Sequence, residues 1–166
     1  MNCAVTGCVV PTSGASKYCR PHAKEARERW LAMIREKSTA RDERTRTFAG
    51  AWFRACDAAK VAHKAAEPTP MVVVEKNVVT GEDKQRWFVS EGCCGSASVS
   101  VVPGNHPFAI WAKKNAGFRK SYKGGCVSAT FSYGSQSYER SCAAADAAVA
   151  VLREAGIPAY VDSWID

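Results

Sequence analysis

The sequence predicts an α+β fold in two parts: a metal-stapled helical N-terminal region, then a small mixed sheet with helices mainly on one face, in the order β-β-β-α-β-α-β. Three observations carry this. Four potential metal ligands, Cys3, Cys8, Cys19 and His22, crowd the first 22 residues. A charged, alanine-rich stretch of helical period follows, to about residue 66. From residue 71, short β-branched runs alternate with Gly and Pro turns. A chain of 166 residues holds one modest domain, or a small core with a metal-stapled appendage.

The ligands are spaced C-x4-C-x10-C-x2-H. Zinc takes four tetrahedral N/S donors, and two close pairs across a short loop supply them without a preformed core. Gly7 precedes Cys8, where a tight knuckle needs a small residue. Pro11, Ser13 and Gly14 loop between the pairs. Cys19-Arg20-Pro21-His22 opens a helix, the order of a treble-clef-like site. Four protein ligands leave no place for water, so the expected Zn2+ is structural, and its thiolates tie folding of residues 1–22 to metal. The competing reading is two disulfides, or free thiols with His22 on the surface.

Residues 23–67 read as a basic helical arm. The first helix, 23–37, carries an apolar stripe of Ala26, Trp30, Met33 and Ile34, with Lys24, Arg27 and Arg35 on a different face. Ser38 and Thr39 interrupt it, and Thr39-Ala40-Arg41-Asp42 fits the loose capping-box pattern of a second helix. That helix runs to about Ala66, with Phe48, Trp52, Ala55, Ala59 and Ala62 inward. An antiparallel pair is expected; one long bent helix is the alternative, which leaves Trp30 and Trp52 in need of a partner chain. Glu67-Pro68-Thr69-Pro70 ends the arm, because proline cannot continue a helix.

The third region, 71–166, is α/β. Residues 71–79 and 85–90 form a hairpin around Thr80-Gly81-Glu82-Asp83. Residues 96–102 give a third strand and Pro103-Gly104-Asn105 a turn. Residues 106–116 form a short helix with Phe108, Ile110 and Trp111, closed by Gly117. Residues 126–133 alternate Val127, Ala129, Phe131 and Tyr133 on one face, a half-buried strand. Residues 138–155 form a helix with Cys142, Ala145, Val149 and Leu152 inward, stopped by Gly156 and Pro158. Residues 157–165 form the last strand, and strand–helix–strand at the end of the chain fits a right-handed crossover in one sheet.

Other chemistry-bearing residues read more plainly. The vicinal pair Cys93-Cys94 fits small turn residues better than a second metal or redox site. Cys56 and Cys142 sit on apolar helix faces and read as core. His106 before Pro107 reads as a structural or capping residue, His63 as exposed, and Asp162 and Asp166 as solvated acids. No nucleophile elbow or phosphate-cradling glycine loop occurs. In Phe118-Arg119-Lys120-Ser121-Tyr122-Lys123-Gly124-Gly125, basic and aromatic residues interleave. That pattern suits phosphate neutralisation with base stacking, or a solvated loop anchored by its aromatics.

Charge narrows the function. The net charge is +7; residues 1–66 hold 13 Lys and Arg against 6 Asp and Glu, whereas residues 67–166 hold 10 of each. A basic zinc-stapled arm beside a neutral domain points to nucleic acid, DNA before RNA, with Lys24, Arg27, Arg35, Arg41, Arg44 and Arg46 on phosphates together with Lys120 and Lys123. A solvated basic helix is the bland reading. No apolar run spans a membrane, and the chain enters Cys3 and Cys8 with no apolar h-region, which reads for a reducing cytoplasm.

Asn2-Cys3…Gly7-Cys8…Tyr18-Cys19-Arg20-Pro21-His22, followed by a charged helix, resembles the zinc knuckle at the N-terminus of small HNH endonucleases of bacteriophages. Gly134-Ser135-Gln136-Ser137…Ala147…Leu152…Ala155-Gly156-Ile157-Pro158-Ala159 is similar to short phage proteins. The resemblance implies a phage or mobile-element origin and a structural zinc. It does not extend to the nuclease constellation: after His22 only His63 and His106 remain, and Asn105-His106 has no second histidine after it. The leading expectation is therefore a nucleic-acid-binding accessory protein. The alternative is a protein-interaction module, an inhibitor or adaptor of a host or phage enzyme, anchored by Trp30, Trp52 and Trp111; a metal-dependent nuclease is the weaker one.

Overall fold

The computed structural model describes residues 2–12, 16–131 and 133–166. Ser13 and Gly14, expected between the ligand pairs, lie outside the described residues. The elements are α1 (Arg20–Ala65), β1 (Met71–Lys76), β2 (Asp83–Val89), β3 (Gly95–Val101), α2 (Pro107–Asn115), β4 (Arg119–Lys120), β5 (Val127–Thr130), α3 (Tyr138–Glu154) and β6 (Ala159–Ile165). The class is α+β, with two antiparallel sheets.

The expected helix pair is a single helix of 46 residues. Ser38 and Thr39 do not break it; Thr39 Oγ1 donates to the Arg35 carbonyl one turn back at 2.9 Å. Its hydroxyl is satisfied inside the helix and does not cap a new one. The surrounding Ala, Arg, Lys and Glu are strong helix formers. Contacts divide the chain within α1 into two compact units, Met1–Arg46 and Thr47–Asp166.

Among its described residues, the first unit buries only Cys3 and Cys19. The apolar stripe read on the first helix, Ala26, Trp30, Met33 and Ile34, is not buried; Trp30 is 55% exposed.

The second unit has an apolar core. From α1, Ala51, Ala55 and Ala59, four apart, are buried, with Phe48 and Trp52 packed at the margin. Small residues on this face let the helix approach closely. Trp52 finds its partners here, with its ring 4.9 Å from Phe118 and stacked at 5.7 Å on Phe131. Phe108 of α2 is fully buried, edge-on to Phe48 at 5.5 Å and to Phe118 at 5.9 Å. α3 packs on β3 and β6 and buries Ala144, Ala145, Ala148, Val149 and Leu152.

Four strands pair in the order β4-β5-β3-β6, every neighbour antiparallel. This corrects the expected single mixed sheet. β5 and β6 run in the same direction, but β3 lies between them, and α3 links them across it. β3 lies in the central slot, where Ala97, Val99 and Val101 are fully buried. β1 and β2 form a separate hairpin, Val72 opposite Phe88 and Val73 opposite Trp87. Both its faces mix apolar with charged residues, so neither offers the sheet a clean apolar side; Phe88 is 72% exposed. At the start of β3, a Cβ on Gly95 would meet the Trp164 carbonyl oxygen at 2.5 Å and the Tyr138 ring at 2.9 Å, so only glycine lets β6 and α3 close on it. Among the described residues no helix is long and apolar enough to cross a membrane.

Candidate metal centre

Short-range constraints gather the four ligands. Asn2 and Pro11 form an antiparallel bridge, and the Ala4 N–H donates to the Lys17 carbonyl at 2.9 Å. The Cys8 N–H donates to the Val5 carbonyl at 3.1 Å, closing a turn with Gly7 at φ +81°, a backbone region that disfavours any side chain. Cys19 lies at the mouth of α1: the Ala23 N–H donates to its carbonyl at 2.8 Å. His22 sits in the first turn of that helix.

The four ligand atoms all lie within 4.8 Å of one another. His22 Nδ1 stands 3.3 Å from both Cys3 Sγ and Cys19 Sγ, and Cys8 Sγ is 3.7 Å from Cys19 Sγ. All eight cysteines are free of disulfides, so the disulfide reading of this cluster is not what the fold adopts. The group could hold a metal ion. Hydrogen bonds from the backbone of Cys19 and then Val5 bring the Cys3 thiol down to about 6. The thiolate, the ligating form, is thus favoured at neutral pH. Among the described residues no other group of three His, Cys, Asp or Glu side chains is placed to share an ion. Cys93 touches the sulfur of Met71 at 3.8 Å.

The expected phosphate-binding cations fall on different units. Lys24, Arg27, Arg35, Arg41, Arg44 and Arg46 are exposed on α1 within Met1–Arg46. None of the six is in an ion pair among the described residues. At 100° per residue, Lys24, Arg27, Arg35 and Arg46 share an arc of about 100°. Arg41 and Arg44 fall on the side of Trp30 and Met33. Glu28 and Asp42 share the cationic arc and dilute it. Lys120 and Lys123 belong to Thr47–Asp166. Lys120 is exposed in β4, but Lys123 Nζ is bound to Asp162 Oδ1 at 2.6 Å, which raises the Lys123 pKa. Tyr122 between them is 90% exposed.

Three single-residue readings change or sharpen. Asp162 is not a solvated acid: it is 16% exposed and holds Lys123. His63 is half-buried against Tyr133, ring centroids 4.9 Å apart; burial, then the Arg140 guanidinium, lowers its pKa. His106 caps α2, its Nδ1 accepting from the Phe108 N–H at 3.2 Å. Trp111, like Trp52, packs against the core, so of the three expected docking anchors only Trp30 stands free of it. A cleft lined by Lys60, His63, Lys64 and Arg140 escaped the sequence reading. Its residues come from segments some 70 positions apart, and the one local signal was the Gly-Ser-Gln-Ser run before α3. Comparison with protein-family models, curated proteins and solved structures found no match.

Proposed function

We propose that the protein is a zinc-stabilised accessory protein of phage or mobile-element origin that binds nucleic acid, DNA before RNA, through the basic arm of α1. The observation that carries this is the set of exposed cations on α1 directly after the ligand cluster, Lys24, Arg27, Arg35, Arg41, Arg44 and Arg46, none in an ion pair among the described residues.

The donor set fits zinc. A tetrahedral ion with Zn–S of about 2.3 Å and Zn–N of about 2.0 Å has S···S edges of about 3.8 Å and S···N edges of about 3.5 Å; the Cys8–Cys19 edge is 3.7 Å and those from His22 to Cys3 and Cys19 are 3.3 Å, with all four atoms within 4.8 Å of one another. Three sulfurs and one imidazole favour zinc over hard, oxygen-seeking cations. Bound there, the ion cross-links the knuckle to the first turn of α1 in a treble-clef-like arrangement, with four protein ligands and a structural role.

Lys24 and Arg46 are about 33 Å apart along a helix rising 1.5 Å per residue, close to one turn of duplex. Contacts of this kind position a protein on the backbone and carry little sequence information. The test is fluorescence anisotropy against duplex DNA, single-stranded DNA and RNA over a range of salt, with and without a zinc chelator. Affinity should fall steeply with salt and weaken with chelator. Binding that is absent, or flat in salt, sinks the proposal.

A second reading, a protein-docking module, is favoured by Trp30, Met33 and Ile34, exposed by 55%, 42% and 41% on one side of α1. A host protein that co-purifies after nuclease treatment and is lost with Trp30→Ser would support it.

A further inference from the structure

The second unit holds a cleft of about 930 Å³ where the end of α1 meets the start of α3, a size suited to a small ligand. Lys60 and Lys64, one turn apart on α1, line it with exposed ammonium groups that join no ion pair among the described residues. Arg140 is fixed there by Glu91, Nε to Oε2 at 2.9 Å, and by the His63 carbonyl, Nη1 to O at 3.0 Å. Glu91 also accepts from Ser135 Oγ at 3.1 Å, so the one carboxylate of the cleft is already matched. The N-terminus of α3 also lines the cleft through Ser137 and Arg140; its Tyr138 N–H is taken by the Cys93 carbonyl at 2.9 Å, and the other N–H groups of the first turn favour an anion. Its N-cap, Ser137, makes no side-chain capping bond. Ser137 lines the cleft, is 1% exposed, and its Oγ has no hydrogen-bond partner among the described residues. A buried hydroxyl left unpaired is unfavourable, and a ligand oxygen would satisfy it.

We propose that this cleft binds the phosphate monoester of a ligand, with Lys60 and Lys64 neutralising it and Ser137 and the first turn of α3 donating to its oxygens. The inference stands apart from the arm of the first unit and would hold if that arm bound nothing. The monoester could belong to a nucleic-acid 5′ end or to a small phosphorylated metabolite.

The test is an amide chemical-shift titration of the full chain with inorganic phosphate, then with a 5′-phosphorylated dinucleotide and its 5′-hydroxyl counterpart. Saturable shifts confined to residues 60–64 and 134–141 are expected. Lys60→Gln with Lys64→Gln should weaken binding about tenfold or more. Ser137→Ala should weaken it severalfold without lowering the melting temperature, since it removes an unpaired hydroxyl. A phosphorylated dinucleotide that binds about tenfold tighter than phosphate, with no binding of the hydroxyl form, assigns the site to nucleic-acid ends. Equal binding of phosphate and phosphorylated dinucleotide assigns it to small phosphorylated ligands. Shifts that never saturate, or wild-type affinity in the double lysine variant, overturn the proposal.

Discussion

The two units of this chain are held by different means. Thr47–Asp166 closes around Phe108, Leu152, Val99 and Val101, all fully buried. Met1–Arg46 buries two side chains among its described residues, Cys3 and Cys19, and both belong to the cluster that could hold a metal ion. So short a segment cannot bury enough apolar surface to order itself, and a cross-linking metal is the usual remedy. The same difference explains where the cations are. With no core to build, the first unit is free to expose nearly all of its described helix residues to solvent.

Removing the metal should break this comparison most severely. Structural zinc contributes about 10–16 kcal/mol in small zinc modules. A chelator, or Cys8→Ser, should therefore abolish hydrogen-exchange protection around residues 2–22 and leave β3, α3 and β6 protected. Protection lost throughout would mean that the two units share one folding transition. Next in size is Phe108→Ala, which should destabilise the second unit by about 3–5 kcal/mol in chemical denaturation, with the metal content of the first unchanged. A parallel loss of metal would again join the units.

Charge variants sharpen the contrast. Lys24→Gln and Arg35→Gln should each reduce the salt slope of DNA binding by about 1, whereas Lys123→Gln, whose ammonium is held by Asp162, should change it little. Equal effects at all three would place the interface on both units. Smaller still, Trp30→Ser should move stability by no more than about 0.5 kcal/mol, while Trp52→Ser, which strips contacts from Phe118 and Phe131, should be clearly destabilising. Comparable melting curves would refute the packing difference.

The smallest effect is a pH response of the second unit. Burial, followed by Arg140 and opposed by Glu91, lowers the His63 pKa in the folded chain. The unfolded chain therefore takes up that proton first, near the ordinary histidine value of about 6.5. Stability is full above this value and is lost as pH falls through it to the lowered folded value. His63→Gln should remove that part of the pH dependence, and an unchanged profile would show that His63 does not contribute.

Most elements of 71–166 were legible because their local patterns agree with their final state. Of the strand expected over 126–133, Val127–Thr130 forms β5, and Gly156 stops α3 at the expected point. The ligand cluster was legible because its residues are close in sequence. At Ser38-Thr39 the long helix, the alternative reading, is what forms: strong helix formers flank the pair and the Thr39 hydroxyl turns back to Arg35. The sheet order could not be read, since nothing in β3 alone says that it will sit between β5 and β6. The pairing of Lys123 with Asp162, 39 residues on, was hidden for the same reason.

The most direct measurement is native mass spectrometry of the purified chain with elemental analysis, wild type beside Cys8→Ser. One zinc per chain in the wild type, lost in the variant, is the expected result. A wild-type chain that binds no zinc under reducing conditions, or a variant that retains it in full, would contradict the assignment of Cys3, Cys8, Cys19 and His22 as the staple of the first unit.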